Sequence, residues 1–366
     1  MFNNPIAVLG GGNGAHMMAG DLMLAGHLVN FYEHPLFAEK FSTTLETKII
    51  KVSGIGRTGD AKIHCVTTDM AEALKDVELV NVVIPASGHD LFFEEMIPHL
   101  VDGQVVIVWS GDFGSLRLAQ LIKEKRPELK VMIAETNTLP YGTRLKGPAE
   151  VELLLTAPRV IIAAFPATQT EKIMEKLKPL FPALEPTASV LTAAFSNPNP
   201  ICHPPGSLLN TGRIQYSGGN FYMYREGITE AVARVIRSVY NETAALAGAL
   251  GYRVLEYEDR DFRTTCSIMG VAFQASFDTI GVIGDIIGPK SIQDRYITED
   301  LPFGLVPMSQ LGDWLGVPTP VIDAIINIGS VVCQDNFWES GRTLEKLGIA
   351  GLDREGIRKY VHEGVV

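Results

Sequence analysis

Three groups of residues in this 366-residue chain have the types and spacing for chemistry. His203 lies in NPICHPPGSLLN, four positions after Asn199 and directly before a Pro-Pro-Gly break, in a segment otherwise suited to a buried helix. An imidazole titrates near pH 6.5 and can both give and take a proton at cellular pH, although a lone histidine is more often packed or solvated than catalytic. A second group, DRYITEDLPFGLVP, carries Asp294, Arg295, Glu299 and Asp300, too dense in polar side chains for ordinary core. Arginine in such company can meet a carboxylate with its planar fork, or simply pair with Asp294 or Glu299.

The third group is GGGNGA near the N-terminus. Gly10, Gly12 and Ala15 satisfy the G-x-G-x-x-(G/A) spacing, with Asn13 and Gly14 completing the loop. Gly10 permits the tight turn, Gly12 a close approach to a pyrophosphate, and Ala15 close helix-to-strand packing, while the following helix offers free N–H groups. Glu33 ends the second strand run, where an acid accepts hydrogen bonds from an adenosine ribose, and His34 and Pro35 supply no guanidinium for a 2′-phosphate. NAD(H) is therefore favoured as cofactor, with NADP(H) not excluded. Pro85 and Ala86, in the loop PASGHD, and the loop SGDFGS are expected on the same sheet edge, whereas His89 reads as a surface or cap residue.

The elements that must position these groups are legible as hydrophobic patterns. IAVLG (6–10), LVNFYE (28–33), LVNVVIPA (79–86), VVIVW (105–109), KVMIAE (130–135) and VIIAAFPA (160–167) are nearly continuous apolar runs, the pattern of strands buried on both faces of a parallel sheet. Helical segments 13–26, 67–76, 88–100 and 115–125 alternate with them, as in a doubly wound α/β domain. A Pro-rich joint at 182–190 precedes a mostly helical remainder with a long amphipathic helix at 227–250, capped by Gly251. This divides the chain into a Rossmann dinucleotide-binding domain, 1–186, and an all-helical domain, 187–366, with ligands expected in a cleft between them.

Composition narrows the partners. With 31 Lys+Arg against 42 Asp+Glu, the net charge of −11 argues against nucleic acid or an anionic membrane. Cys65, Cys202, Cys266 and Cys333 lack the paired spacings of a zinc or redox site, so no metal is expected and the thiols read as reduced. The N-terminus enters a strand pattern without a signal-peptide layout, and no apolar run reaches about 20 residues, which together point to the cytoplasm.

LGGGNGAH, AETNTLPYGTR (134–144), NPICHPPGSLLNTG (199–212) and RYITEDLPFGL (295–305), in this order and over essentially the whole chain, resemble the opine dehydrogenase family, which includes octopine and nopaline dehydrogenases. The resemblance implies a Rossmann domain followed by a helical one, and the NAD(P)H-dependent condensation of a 2-oxoacid such as pyruvate with the α-amine of an amino acid. It implies His203 as catalytic acid/base with Asp300 as partner, Asn199 positioning substrate or imidazole, and Arg295 binding a substrate carboxylate. Glu135 and Thr138 could face cofactor or substrate amine; Tyr141 and Arg144 read as structural. The aromatics of NFYMYRE (220–226) and the apolar SIMGVAFQASF (267–277) are candidates for pocket or core. Two readings compete. A ketopantoate-type or other 2-oxoacid reductase would lean on a lysine, and the second domain has none before Lys290; a non-catalytic NAD(P)H-binding sensor would bind cofactor without turnover. Exposed helical faces suggest a homodimer.

Overall fold

A computed structural model describes residues 4–262, 267–274 and 284–365. The strands are β1 (Ile6–Leu9), β2 (Val29–Tyr32), β3 (Ile49–Gly54), β4 (Gly59–Lys62), β5 (Cys65–Thr67), β6 (Leu79–Val82), β7 (Val105–Val108), β8 (Met132–Thr136), β9 (Tyr141–Gly147), β10 (Glu150–Thr156), β11 (Val160–Phe165) and β12 (Leu184–Pro186). The chain separates into two compact units, Met1–Val190 and Leu191–Val366.

The first unit is built on an eight-stranded sheet in the order β12-β11-β8-β7-β6-β1-β2-β5. Its central strands β1, β6 and β7 are wholly buried, as their unbroken apolar runs require, and each is parallel to its neighbours. Helices Asn13–Leu24, His89–Met96 and Gly114–Lys125 supply the crossovers. One expectation fails: the run 160–167 forms β11, which lies antiparallel to β8, with β12 parallel to β11. No helix intervenes between β8 and β11. The chain instead makes the antiparallel pair β9–β10 and returns in the opposite sense, so part of the presumed joint at 182–190 is the edge strand β12.

A second sheet, β4-β3-β10-β9, escapes the apolar-run criterion because its strands are only half buried; in β3, Ile50 and Val52 face inward and Lys51 outward. It packs on the Asn13–Leu24 helix, where a side chain on Gly20 would stand 2.5 Å from Val52. Tyr141 donates to Asp21 (2.9 Å), which also accepts from Arg57 (2.8 Å), so Tyr141 ties this sheet to that helix. The helix opening the glycine loop is thereby held on two sides.

The second unit is helical, its described residues adding only an isolated bridge between Tyr222 and Gly288. Its central helix Pro198–Leu208 packs against Glu230–Ala249, Arg295–Thr298 and Pro320–Cys333. The long helix expected at 227–250 runs Glu230–Ala249, opened by Thr229 as N-cap; Leu250 is the C-cap and Gly251 follows it in the left-handed region at φ +76°. The helix Pro198–Leu208 does not break at Pro204-Pro205-Gly206 but continues through it. Among the described residues no helix is long and apolar enough to cross a membrane, and no cluster of His, Cys, Asp and Glu is arranged to hold a metal ion.

Candidate active site

In the first unit, Gly10 turns at φ +110°, and a side chain there would stand 2.5 Å from Ile84 and 2.6 Å from the Val83 carbonyl of the β6 exit. A side chain on Gly11 would collide with the Glu33 carboxylate, whereas one on Gly12 would meet nothing within 4 Å. That open space lies before the first turn of the Asn13–Leu24 helix, which has no acidic residue to neutralise its positive end. An anion therefore finds backbone N–H groups and room, which fits a dinucleotide pyrophosphate. Ala15 is fully buried. The Asn13 Oδ1 accepts from Leu145 N at 2.8 Å, which orients the amide and leaves its Nδ2 hydrogens as the part that can donate to a phosphate; Gly14 can offer one only backbone.

His16 braces the loop from below. Nδ1 lies 3.1 Å from the Gly12 carbonyl, which can only accept, so Nδ1 carries the hydrogen and Nε2 accepts from the Thr44 hydroxyl at 3.0 Å. Burial lowers the pKa of this imidazole, against smaller opposing effects of the Gly12 and Gly11 backbone. Glu33 stands at the exit of β2 with Oε1 accepting from His34 N at 2.8 Å. Burial raises its pKa, and the backbone N–H groups of His34 and Gly11 oppose that. Pro85 and Ala86 open the short turn after β6 on the same edge, Ala86 buried.

Two placements differ from expectation. His89 is neither surface nor simple cap: it is fully buried and stacks on Phe93 at 5.0 Å. Glu135 is fully buried in β8, with Oε1 accepting from Phe113 N (2.8 Å) and Oε2 from Ser115 N (2.9 Å) and the Ser115 hydroxyl. Its carboxylate is occupied in pinning the 110–115 loop, where Ser110, Asp112 and Phe113 all adopt left-handed backbone. Thr138 is buried, and its carbonyl accepts from the Thr136 hydroxyl at 3.0 Å.

In the second unit, residues 97 positions apart meet: His203 Nδ1 lies 2.8 Å from Asp300 Oδ2. His203 Nε2 lies 2.9 Å from the Tyr224 hydroxyl, and the Tyr296 ring stacks flat on the imidazole at 3.8 Å. His203 and Asp300 each expose only 1% of their surface. Burial, and after it Glu299, press the Asp300 carboxyl well above its ordinary range, against the pull of Arg295. One proton occupies the Nδ1–Oδ2 line whichever partner is credited with it, so Nε2 is the position that gains and loses a proton.

The elements explain the convergence. Asp294 caps the short helix Arg295–Thr298, accepting from Tyr296 N at 3.3 Å, and turns Tyr296 onto the imidazole. Asp300 opens a π-helical turn, Asp300–Leu305, and Tyr224 sits in another, Met223–Gly227; such turns recur at functional sites because they re-aim a side chain. The first is clasped from behind: Arg342 N donates to the Pro302 carbonyl at 2.8 Å, and its buried guanidinium lies over Phe303 at 5.1 Å.

Arg295, half exposed, pairs with Glu299 at 3.3 Å. Partial burial works against its charge, but Glu299, Tyr296 and Asp300 outweigh it and raise its pKa. Asn199 does not hold the imidazole, because Asp300 and Tyr224 take the two ring nitrogens; its backbone N–H donates to the Asn197 side chain that caps the helix. Cys202, next to His203, is buried, with its thiol pushed up to about 12 chiefly by that burial. Cys65, Cys202 and Cys333 are free thiols, and Cys266 and residues 275–277 of the apolar candidate wall lie outside the described residues. Tyr224 is one of the aromatics in 220–226 that the sequence leaves between pocket and core, and nothing sets it apart there from its neighbours Phe221 and Met223, which are fully buried core.

A Rossmann sheet with a phosphate-ready glycine loop, joined in one chain to a helical unit with a buried imidazole–carboxylate pair, defines a nicotinamide-dependent dehydrogenase. Residues 186–333 match the family model described as NAD/NADP octopine/nopaline dehydrogenase, alpha-helical domain. The opine dehydrogenase of Arthrobacter sp. (strain 1C) is 32% identical over 97% of this chain and 98% of that protein. The chain belongs to the opine dehydrogenase family, whose members are NAD(P)-dependent oxidoreductases. Among solved structures, octopine dehydrogenase with NADH and L-arginine aligns with TM-score 0.71 at 19% identity, over 99% of this chain and 98% of that one. Yersinopine dehydrogenase with NADP+ aligns with TM-score 0.70 at 16% identity, over 98% of each chain. Both share the fold.

Proposed function

We propose that this protein catalyses the reductive condensation of a 2-oxoacid, such as pyruvate, with the α-amine of an amino acid, and the reverse oxidation, with His203 as acid/base. The observation that carries the reading is the buried His203–Asp300 pair in the helical unit. The solved octopine dehydrogenases holding pyruvate or L-arginine with NADH support the substrate classes.

When bound, the reduced nicotinamide supplies a hydride. The first unit's part is to hold its dinucleotide: Gly12 and the first turn of Asn13–Leu24 for the pyrophosphate, Glu33 for the ribose hydroxyls, with Gly10, Gly14, Ala15, Pro85 and Ala86 shaping the edge. The helical unit handles protons. Addition of an amine to a ketone needs a proton at the carbonyl oxygen, and loss of water needs a second. Nε2 can cycle because Nδ1 stays on Asp300, which favours the imidazolium when it forms. The half-exposed Arg295 guanidinium, already beside Glu299, would take the oxoacid carboxylate. Asn199 and Thr138 remain candidates for the amino acid. A cytoplasmic homodimer completes the reading; exposed Ile328 and Val331 on the Pro320–Cys333 helix support the dimer.

The test follows NADH absorbance with pyruvate alone and then with pyruvate plus each common amino acid. Oxidation only when both are present is expected. His203→Ala should abolish it with NADH affinity intact, general acid/base catalysis being worth about 10²–10⁴-fold. Equal oxidation with the oxoacid alone would replace this reading with a simple 2-oxoacid reductase.

A further inference from the structure

Both nitrogens of the His203 imidazole are engaged, the ring is covered on one face by Tyr296, and 1% of the residue is exposed. A proton leaving the ring has two exits. One leads to Asp300, already bonded to Nδ1; the other leads to the phenol oxygen of Tyr224, 2.9 Å from Nε2. A hydroxyl both accepts and donates, so it can receive a proton from Nε2 and pass its own onward in one event. A methyl or an amide oxygen in that place would end the line.

We infer that Tyr224 is a catalytic residue, the group that delivers protons to the substrate oxygen, with His203 as the reservoir behind it. The inference rests on the proposed condensation. In the dehydration step, the Tyr224 O–H proton moves to the hydroxyl of the carbinolamine as the Nε2–H proton moves to the phenol oxygen. The C–O bond breaks with its electron pair on the departing water, and the nitrogen lone pair forms C=N. Imidazolium becomes neutral imidazole, carbinolamine becomes iminium and water, Tyr224 ends as it began, and nothing is oxidised or reduced.

Two further observations agree. Burial raises the Tyr224 pKa well above its ordinary value, with neighbouring tyrosine and thiol adding to it, which disfavours a free phenolate and so favours moving the two protons together. Tyr296 also lies within hydrogen-bonding reach of the Tyr224 side chain, giving the phenolic hydrogen a resting partner whenever Nε2 is protonated. The π-helical turn Met223–Gly227 aims Tyr224 at the imidazole from outside the helix that carries His203.

Tyr224→Phe keeps the ring and removes the hydroxyl. In single-turnover mixing with NADH, oxoacid and amino acid, it is expected to slow condensation at least about a hundredfold with unchanged NADH affinity. The rate in H₂O/D₂O mixtures separates a relay from a packing role. Two protons in flight make the wild-type rate curve with deuterium fraction, and one proton leaves it linear in Tyr224→Phe. A linear or flat wild-type dependence overturns the relay even if Tyr224→Phe fails to fold. A Tyr224→Phe rate within threefold of wild type, beside an inactive His203→Ala, overturns the relay alone; turnover by His203→Ala overturns the relay and the reading beneath it.

Discussion

Replacing Asp300 with asparagine separates what the carboxylate does for chemistry from what it costs the fold. Asparagine keeps the shape, and its oxygen can still accept from Nδ1, so the change removes charge from a bond of 2.8 Å with both partners buried. Hydrogen bonds to charged groups contribute about 1.5–3 kcal/mol. If the imidazolium loses that stabilisation when it forms, kcat falls about 10- to 150-fold at about 1.4 kcal/mol per decade. Stability should move the other way. Asp300 Oδ1 has no hydrogen-bond partner among the described residues, and burial already opposes ionisation of this carboxyl. A neutral amide relieves that penalty, so the melting temperature should hold or rise. Steady-state NADH oxidation at saturating substrates and a thermal melt on the same preparation check both. A variant with kcat within threefold of wild type, or one that melts markedly lower, would refute the argument that this carboxylate is kept for its charge.

Two further expectations concern the cofactor unit. Gly12→Ala should fold with unchanged or slightly higher stability, about 0.4–1 kcal/mol, because the backbone is extended there and the methyl meets nothing within 4 Å; NADH should bind at least about tenfold more weakly, as titration of cofactor fluorescence would show. His16, with its folded-state pKa lowered by burial, contributes stability that is present above about pH 6.5 and lost as pH falls through the folded value. Urea midpoints measured between about pH 7.5 and about pH 5.5, one unit either side of 6.5, should therefore drop more steeply for wild type than for His16→Gln.

What could be read from the sequence follows from what each feature depends on. β1, β6 and β7 announce themselves because a strand covered on both faces must be apolar at every position. The β3, β4, β9 and β10 sheet leaves no such signature because one face stays wet, and Lys51 and Glu150 interrupt the pattern as an exposed ion pair. The direction of β11 depends on the β9–β10 excursion, not on its own residues. Asp300 is visible in its polar segment, but its pairing with His203 is given only by family resemblance, as no periodicity connects positions 97 apart. Asn199 was placed by helical spacing from His203, but the imidazole bonds are made by residues of two other elements. Tyr224 is told from its core neighbours only by where a π-helical turn points it.

The helix that carries His203 has a consequence for when the pair comes into being. Pro198, Pro200, Pro204 and Pro205 lie within its eleven residues, and the latter two lack the N–H groups that would answer the carbonyls of Pro200 and Ile201. A peptide of this sequence in water would not be helical; its conformation is imposed by Glu230–Ala249, Arg295–Thr298 and Pro320–Cys333 packed around it. The imidazole acquires its orientation only when those later parts of the chain have arrived. During synthesis the acid/base pair is thus among the last features to exist, and a truncated chain ending before residue 300 would carry the histidine without its chemistry.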